Sequence, residues 1–448
     1  MSSETTTTGP SALVNFRAEN VHSYRDEFEF SLEATSIAEP DCVHEVPWRE
    51  GGSPMKVLPA AGVFGANASG KTKLLEAMWD MSHHVMDSFR QGGLGDPIPR
   101  SPFSLDDHSG SRPSRYEVDF ILGGVWHTYG FVLDSERVHE EWSYRRPKGR
   151  SALMFHRDGD TIEFGALDKA RSRAARDLLR PNALYLSTAA AAGHPQLSML
   201  SRWFFENFSY AETASRPWRQ LVSRRMLDNS RDRSAVLTML WAADLGISDV
   251  RERVPAPQAQ EMLQQIASQL SETGWTPFAE NFLLDDLATI NFVHTGSTGE
   301  YELEASQESR GTLEWFDLVG PVLEALAKGS LLLVDELDTS LHPDLTRLLV
   351  RFFQNRETNP RLAQLVFNSH DLTLMGDSID ARLLGRDQIW FTEKLHDGSS
   401  RLYPLSDLGP RKNEAVAKRY REGYYGARPI LMEGALEGAA KQAMSSAP

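Results

Sequence analysis

The sequence predicts an α/β fold: a mixed sheet with flanking helices, an antiparallel β subdomain and a short helical insertion. Three observations carry this reading. The apolar run Leu58–Phe64 leads through a glycine-bearing loop into the helical pattern Thr72–Trp79. A second apolar run, Leu331–Val334, is followed by Asp335-Glu336, the pattern of a buried parallel strand that ends at solvent. Between them, Tyr116–Leu122, Val125–Leu133 and Glu140–Arg145 alternate like a meander, with Gly123-Gly124 as a hairpin turn.

The remaining elements follow in chain order. Residues 1–10 are polar, rich in threonine, and read as a disordered tail. Leu13–Arg17 and Phe28–Leu32 alternate as strands. Gln91–Pro97 is a loop. Met154–Arg157 and Thr161–Phe164 pair around Asp158-Gly159. From about Leu167 to Leu284 the pattern turns helical, with Arg219–Met226, Ala235–Asp244 and Ala259–Leu270 as the clearest segments. Asn229-Ser230 caps the second of these. Strands return at Ile290–His294, Leu365–Phe367 and Gln388–Phe391. The expected division is a tail (1–10), an N-terminal lobe (11–165), a helical insertion (166–285), a C-terminal lobe (286–430) and a second tail (431–448).

Composition narrows the class. The chain has 448 residues, 41% hydrophobic and 24% charged, as in ordinary globular proteins. No apolar run approaches a membrane span, and the start has no basic or apolar leader pattern. Cys42 is the single cysteine, so no internal disulfide is expected, and the reading is a cytoplasmic protein. A net charge of −15 argues against a surface that coats nucleic acid. Residues 145–233 hold 17 Lys+Arg against 9 Asp+Glu, a balance of +8 that leaves −23 elsewhere. That stretch could meet phosphate, or its charges could pair on exposed helices, as Arg171, Arg173, Arg176 and Arg180 would with Asp168 and Asp177. The histidines show no zinc-ligand spacing.

The chemistry sits in two motifs. Gly65-Ala66-Asn67-Ala68-Ser69-Gly70-Lys71-Thr72 is the phosphate loop G-x-x-x-x-G-K-[ST]. Its glycines let successive amides surround a phosphate at the N-terminus of the next helix. Lys71 reaches the β- and γ-phosphates of ATP, and Thr72 ligates Mg²⁺. Asp335 would hold the water shell of that Mg²⁺, and Glu336 would polarise the attacking water.

In this order the motifs resemble the ABC-type ATPase heads of SMC, RecF and OLD proteins. Leu337–Pro343 stands at the D-loop, His370 at the switch histidine, and Ser309-Arg310-Gly311-Thr312 at the signature motif. The resemblance implies two heads joined head to tail, as a homodimer or higher homo-oligomer. Lys71 of one copy then works opposite Ser309 and Gly311 of the other, Asp338 lies across the interface, and His370 bonds the γ-phosphate. Two departures are visible: His22 stands where relatives carry a phosphate-binding arginine, and no glutamine takes the Q-loop place.

A narrower resemblance, to RloA/AbiL-type ATPases, rests on Phe28–Thr35, Gly65–Lys71, Arg386–Phe391, Leu402–Asp407 and Tyr424–Pro429. It implies anti-phage defence by abortive infection, with a separate RloB-type, Toprim-like nuclease as effector. Too little sequence follows Ser406 for a nuclease domain in the same chain. The alternative is a RecF-like ATPase that binds DNA in repair. The basic, aromatic stretch Arg411–Arg428 would dock onto the head or onto a partner.

Overall fold

The computed structural model describes residues 9–90, 93, 95–212, 216–243, 245–253, 289–376, 378, 382–429 and 432–445. Two large sheets organise them. The first is antiparallel, in the order β10-β9-β8-β7-β6-β1-β2. It consists of β1 (Ala12–Glu19), β2 (Phe28–Ser31), β6 (Ser114–Leu122), β7 (Val125–Leu133), β8 (Val138–Arg146), β9 (Ala152–Asp158) and β10 (Thr161–Phe164). The second has the order β11-β15-β16-β5-β17-β18. Its members are β5 (Ala60–Gly65), β11 (Phe208–Ala211), β15 (Leu331–Val334), β16 (Gln364–Asn368), β17 (Ile389–Lys394) and β18 (Ser400–Pro404). All its pairs are parallel except β17–β18. A smaller sheet joins β12 (Ile247–Arg253), β13 (Thr289–Gly296) and β14 (Gly299–Glu304), and β3 (His44–Val46) pairs with β4 (Met55–Val57).

The α/β expectation holds, and the period of two explains how the second sheet is covered. Leu331, Leu333 and Val366 face one core with Leu74, Leu75, Met78 and Met81 of α1 (Lys71–Asp87). That core also takes Phe16, Tyr116, Val118 and Phe131 of the first sheet, so α1 lies between the two sheets. Leu332, Val334, Leu365 and Phe367 face a second core. There they meet Val319 and Val322 of α7 (Arg310–Lys328), and Leu349 and Phe353 of α8 (Pro343–Gln354). The full burial of both faces is why β15 reads as an unbroken apolar run.

Buried polar side chains join the layers. Gln364 accepts from the Leu13 amide at 2.6 Å and donates to the carbonyls of Leu13 (3.0 Å) and Leu58 (3.2 Å). One side chain thereby ties β16 to β1, where β1 has a bulge. Glu141 on β8 accepts from the amides of Tyr185 (2.6 Å) and Leu186 (2.8 Å), which open α3 (Tyr185–Ala191), and from the Tyr129 hydroxyl at 3.0 Å. A helix start offers unpaired amides, and a carboxylate satisfies them. Burial raises the Glu141 pKa even so.

The stretch expected to be helical is helical only in part. It contains α2 (Lys169–Arg176), α3, α4 (Pro195–Asn207), α5 (Arg216–Leu227) and α6 (Ser230–Ala242), and Asn229 caps α6 as expected. It also contains β11 and β12. Phe208–Ala211 follows α4 directly and takes the edge place beside β15, which buries Phe208, Tyr210 and Ala211. Four residues carry too short an alternation to stand out locally, so tertiary pairing decides. The expected Ala259–Leu270 helix lies outside the described residues, as do Gln91, Gly92 and Leu94 of the expected loop.

The basic stretch spends much of its charge internally. Arg219 pairs with Glu314, Arg216 with Asp317 (2.7 Å), Arg224 with Glu252 (2.9 Å) and Arg233 with Asp249 (2.6 Å). Arg171 lies 4.0 Å from Asp168, and Arg176 lies 3.3 Å from Asp177. The first two pairs, with Ser223 Oγ donating to Phe316 O at 2.6 Å, bind α5 along α7. Gly320 permits that approach, because a Cβ there would lie 2.5 Å from Ser223. Removing one partner of a buried pair strands the other charge. Arg219→Met is therefore expected to lower unfolding free energy by about 3–5 kcal/mol in denaturant titration, with Glu314→Gln in the same background restoring part of it.

Candidate nucleotide-phosphate site

Strands β15, β16 and β5 are neighbours and parallel, so their carboxyl ends finish side by side. Each end carries one of the sequence motifs: Asp335-Glu336 after β15, Ser369-His370 after β16 and the phosphate loop after β5. Ligands of α/β proteins bind at such strand ends.

The loop has the expected backbone. Gly70 stands at the N-cap of α1 in the left-handed region (φ 110°), and Ala68 is also left-handed (φ 58°). At Gly65 a Cβ would lie 2.4 Å from the Thr392 carbonyl, so β17 leaves room for glycine alone. Ser69 Oγ sits 2.7 Å from Thr392 Oγ1 and is buried, while Asn67 and Ala68 are exposed at the tip. Lys71 folds back and donates to the carbonyls of Gly65 and Ala66, both at 3.1 Å. Burial lowers its pKa, against the pull of Glu336, Asp335 and Asp338.

Thr72 Oγ1 donates to Asp335 Oδ1 at 2.9 Å. Asn368 Nδ2 donates to the same oxygen, and Asn368 Oδ1 accepts from the Glu336 amide at 2.7 Å. Burial raises the Asp335 pKa, and the bonds from Asn368 and Thr72 oppose the rise. Glu336 is held at φ 54°, a strained angle for this residue, and Thr339 Oγ1 donates to its Oε2 at 2.9 Å. Asp338 accepts from the His370 amide at 3.2 and 3.3 Å. Desolvation and the Lys71 charge lower the His370 pKa, against Asp338 and Glu336. Thr72, Asp335, Asn368 and Glu336 thus form one hydrogen-bonded group and Asp338 and His370 a second, and Lys71 feels the charges of all three carboxylates.

Ser309 and Gly311 stand apart from the loop. Ser309 caps α7 by accepting from the Thr312 amide at 3.1 Å. Gly311 packs on the D-loop of its own chain, where a Cβ would lie 2.8 Å from the Ser340 carbonyl. Among the described residues no hydrogen bond joins either to Gly65–Thr72. His342 caps α8, accepting from the Asp344 amide at 3.2 Å. His22 Nε2 lies 2.8 Å from Asp80 and Nδ1 3.4 Å from Glu76, so α1 engages it. Arg25 pairs with Asp26 (2.9 Å) and Asp397 (2.7 Å).

Sequence reading missed Asn368 and Thr392 as site residues. Asn368 had a signal, being an amide at the end of a buried strand beside the switch histidine. Thr392 had none, because its partner Ser69 is 323 positions away. Beyond the loop, a cleft of about 720 Å³ runs from Phe64–Asn67 and His370 to Tyr420 and Arg428. The C-terminal stretch forms its far wall. It docks on the head through α9 (Val416–Arg421), with Tyr420 stacked on Phe391 at 5.4 Å.

The donor set fits Mg²⁺. A hydroxyl and a carboxylate, both hard oxygens, already touch at the loop, and Mg²⁺ is held by one or two such groups together with phosphates and water. Among the described residues no cluster of three His, Cys, Asp or Glu could hold a metal alone.

Fold and site together define a P-loop nucleotide-binding protein. The chain belongs to the family described as "AAA domain, putative AbiEii toxin, Type IV TA system", whose model matches residues 60–376. It therefore carries an AAA-type ATPase domain. No curated protein matches the sequence. Solved structures similar to the chain include the SMC head domain from Thermotoga maritima. It shares 12% identity, covers 88% of this chain and 98% of that one, and has a TM-score of 0.37. An SMC head bound to the C-terminal winged-helix domain of ScpA shares 12% identity, covers 87% and 96%, and scores 0.40. An SMC head with an extended coiled coil, bound to the C-terminal domain of ScpA derived from Pyrococcus furiosus, shares 12%, covers 92% and 99%, and scores 0.35.

Asn368→Leu would take one of two donors from the Asp335 carboxylate and leave the Glu336 amide without its Asn368 acceptor. Thermal and denaturant unfolding are expected to show a loss of about 1–3 kcal/mol, together with a smaller stabilisation by MgATP than the parent protein shows.

Proposed function

We propose that the protein binds ATP with Mg²⁺ and hydrolyses it in a head-to-tail dimer, and that this cycle controls a partner effector in bacterial anti-phage defence. The observation that carries the reading is the hydrogen-bonded group Thr72–Asp335–Asn368–Glu336 beside Lys71. It places a phosphate loop, two hard oxygens and a strained carboxylate at one set of strand ends.

In this reading the amides of Gly65–Thr72 hold the β- and γ-phosphates. Lys71 exchanges its two loop carbonyls for phosphate oxygens. Thr72 and Asp335 would hold Mg²⁺, which would supply positive charge against the charge that builds on the phosphates. Glu336 accepts a hydrogen bond from the attacking water. His370 donates to the γ-phosphate.

Ser309 and Gly311 serve a second copy. They form the start of a 19-residue helix, where amides and dipole favour an anion, and they are not bonded to their own loop. Asp338, held by the His370 amide, then lies at the joint between copies. Loss of the γ-phosphate removes the charge that bridges the two heads.

Defence is supported by the family description, which names a toxin of a type IV toxin–antitoxin system, and by the resemblance to RloA/AbiL-type ATPases. The effector in this reading is a separate RloB-type, Toprim-like nuclease, and the complex works in the cytoplasm. No described helix is long and apolar enough to cross a membrane.

Glu336→Gln keeps the shape of the site and removes the base. Turnover is expected to fall about 10²–10⁴-fold, and light scattering with ATP should show a stable dimer. A monomer under those conditions contradicts the dimer model.

A further inference from the structure

Three of the segments that mark the narrower resemblance lie outside the phosphate loop and meet in space. Phe28–Thr35, Asp387–Trp390 and Leu402–Asp407 all contribute to one cleft of about 670 Å³. Its walls include β2 and β18, the edge strands of the two large sheets. An edge strand offers backbone groups that an extended peptide can pair with.

The lining is strongly acidic. Glu27, Glu33, Asp387 and Asp407 line it with a single basic residue, Arg401, and Glu29, also in the lining, is paired with Arg17 at 2.8 Å. Asp26 also lines the cleft but is paired with Arg25. Crowding shows in Glu33, whose pKa is raised by burial and by the charges of Asp119 and Glu29.

Two buried groups on the wall lack partners. Asp387 is 3% exposed, and its Oδ2 takes the Thr35 amide at 2.6 Å while Oδ1 has no hydrogen bond. Trp390 is 5% exposed, and its Nε1 has no acceptor. Such groups are rare in folded proteins and call for an explanation. Both atoms are buried behind the wall, so a docked guanidinium or peptide carbonyl reaches them only when the wall moves aside. Arg401 lies 5.3 Å over the Tyr403 ring, so that face is taken by the chain's own guanidinium.

We propose that this cleft docks an extended, arginine-bearing segment of a partner protein. The inference rests on the partner-control part of the function above and supplies the missing surface. Nucleic acid is disfavoured by the charge of the lining. A route to the nucleotide exists as well. Ser400 at the start of β18 donates to Ser23 at 2.8 Å, and Tyr24 donates to the Gly70 carbonyl at 3.1 Å. A Cβ at Gly70 would lie 2.4 Å from Ser400 Oγ. A movement of β18 therefore meets Gly70 of the phosphate loop.

The test uses the full chain without nucleotide and a fluorescein-labelled nonapeptide in which arginine alternates with valine and serine. Anisotropy at 0.1 M salt should show saturable binding. The pair Glu33→Gln/Asp407→Asn is expected to weaken it about tenfold, since both residues are exposed and their loss does not threaten the fold. A lysine version of the peptide should bind less tightly, because it cannot form the planar fork. Neutralising Glu433 and Glu437, exposed acids on the C-terminal helix α10 (Glu433–Ser445), should change nothing. Equal loss from that control pair, or no binding of the arginine peptide, overturns the proposal. So does a self-association of the parent chain that the Glu33/Asp407 pair abolishes, for then a second copy fills the cleft. ATP turnover of the same variants is read separately, so failure of the nucleotide reading leaves this outcome distinct.

Discussion

Asp335 Oδ1 accepts hydrogen bonds from both Thr72 and Asn368, and the rest of the structure is arranged around that shared oxygen. Thr72 begins α1, Asp335 ends β15 and Asn368 ends β16, so one atom fixes a helix and two strands. A carboxylate in this position is costly to bury. It stays because two donors meet it and because its neighbour Lys71 carries the opposite charge nearby. The same network holds the Glu336 amide, so the proposed base is positioned by its backbone as well as by Thr339.

That oxygen can sit correctly only if α1 cannot shift. The helix is gripped from both sides, by β15 and β16 below and by the antiparallel sheet above. Gln364 bonds β16 to β1 directly, and Glu141 anchors α3 to the same antiparallel sheet. The small, rigid contacts at Gly65 and Gly70 then set the loop against β17 and β18. The phosphate loop is therefore a feature of three packed layers, and its motif works because each layer is complete.

Much of this was legible in the chain. Gly65–Thr72 and Leu331–Glu336 are local signals whose chemistry needs those residue types at that spacing, and the structure brings them together. The meander and its Gly-Gly turn were legible because strand alternation and turn angles are local too. What escaped were long-range partners. Thr392 meets Ser69 across most of the chain, and β11 becomes a strand only because an edge place beside β15 is open. The basic stretch was ambiguous for the same reason: Arg216 and Arg219 look like surface charge until α7 brings Asp317 and Glu314 beneath them.

The start of α7 raises the question that matters most for function. Ser309 and Gly311 stand at a helix N-terminus, yet Gly311 packs on Ser340 and neither is bonded to the phosphate loop of its own chain. In the proposed dimer they serve the loop of a second copy, which makes each catalytic site the property of two chains. Mixing two inactive variants tests this directly. Lys71→Ala destroys the loop and keeps the helix start, while Ser309→Arg blocks the helix start at an exposed position and keeps the loop. With random pairing, a mixed dimer holds one intact site, so an equal mixture should recover about a quarter of the parental ATP turnover. A mixture as inactive as its components, or full activity in Ser309→Arg alone, would contradict the shared site.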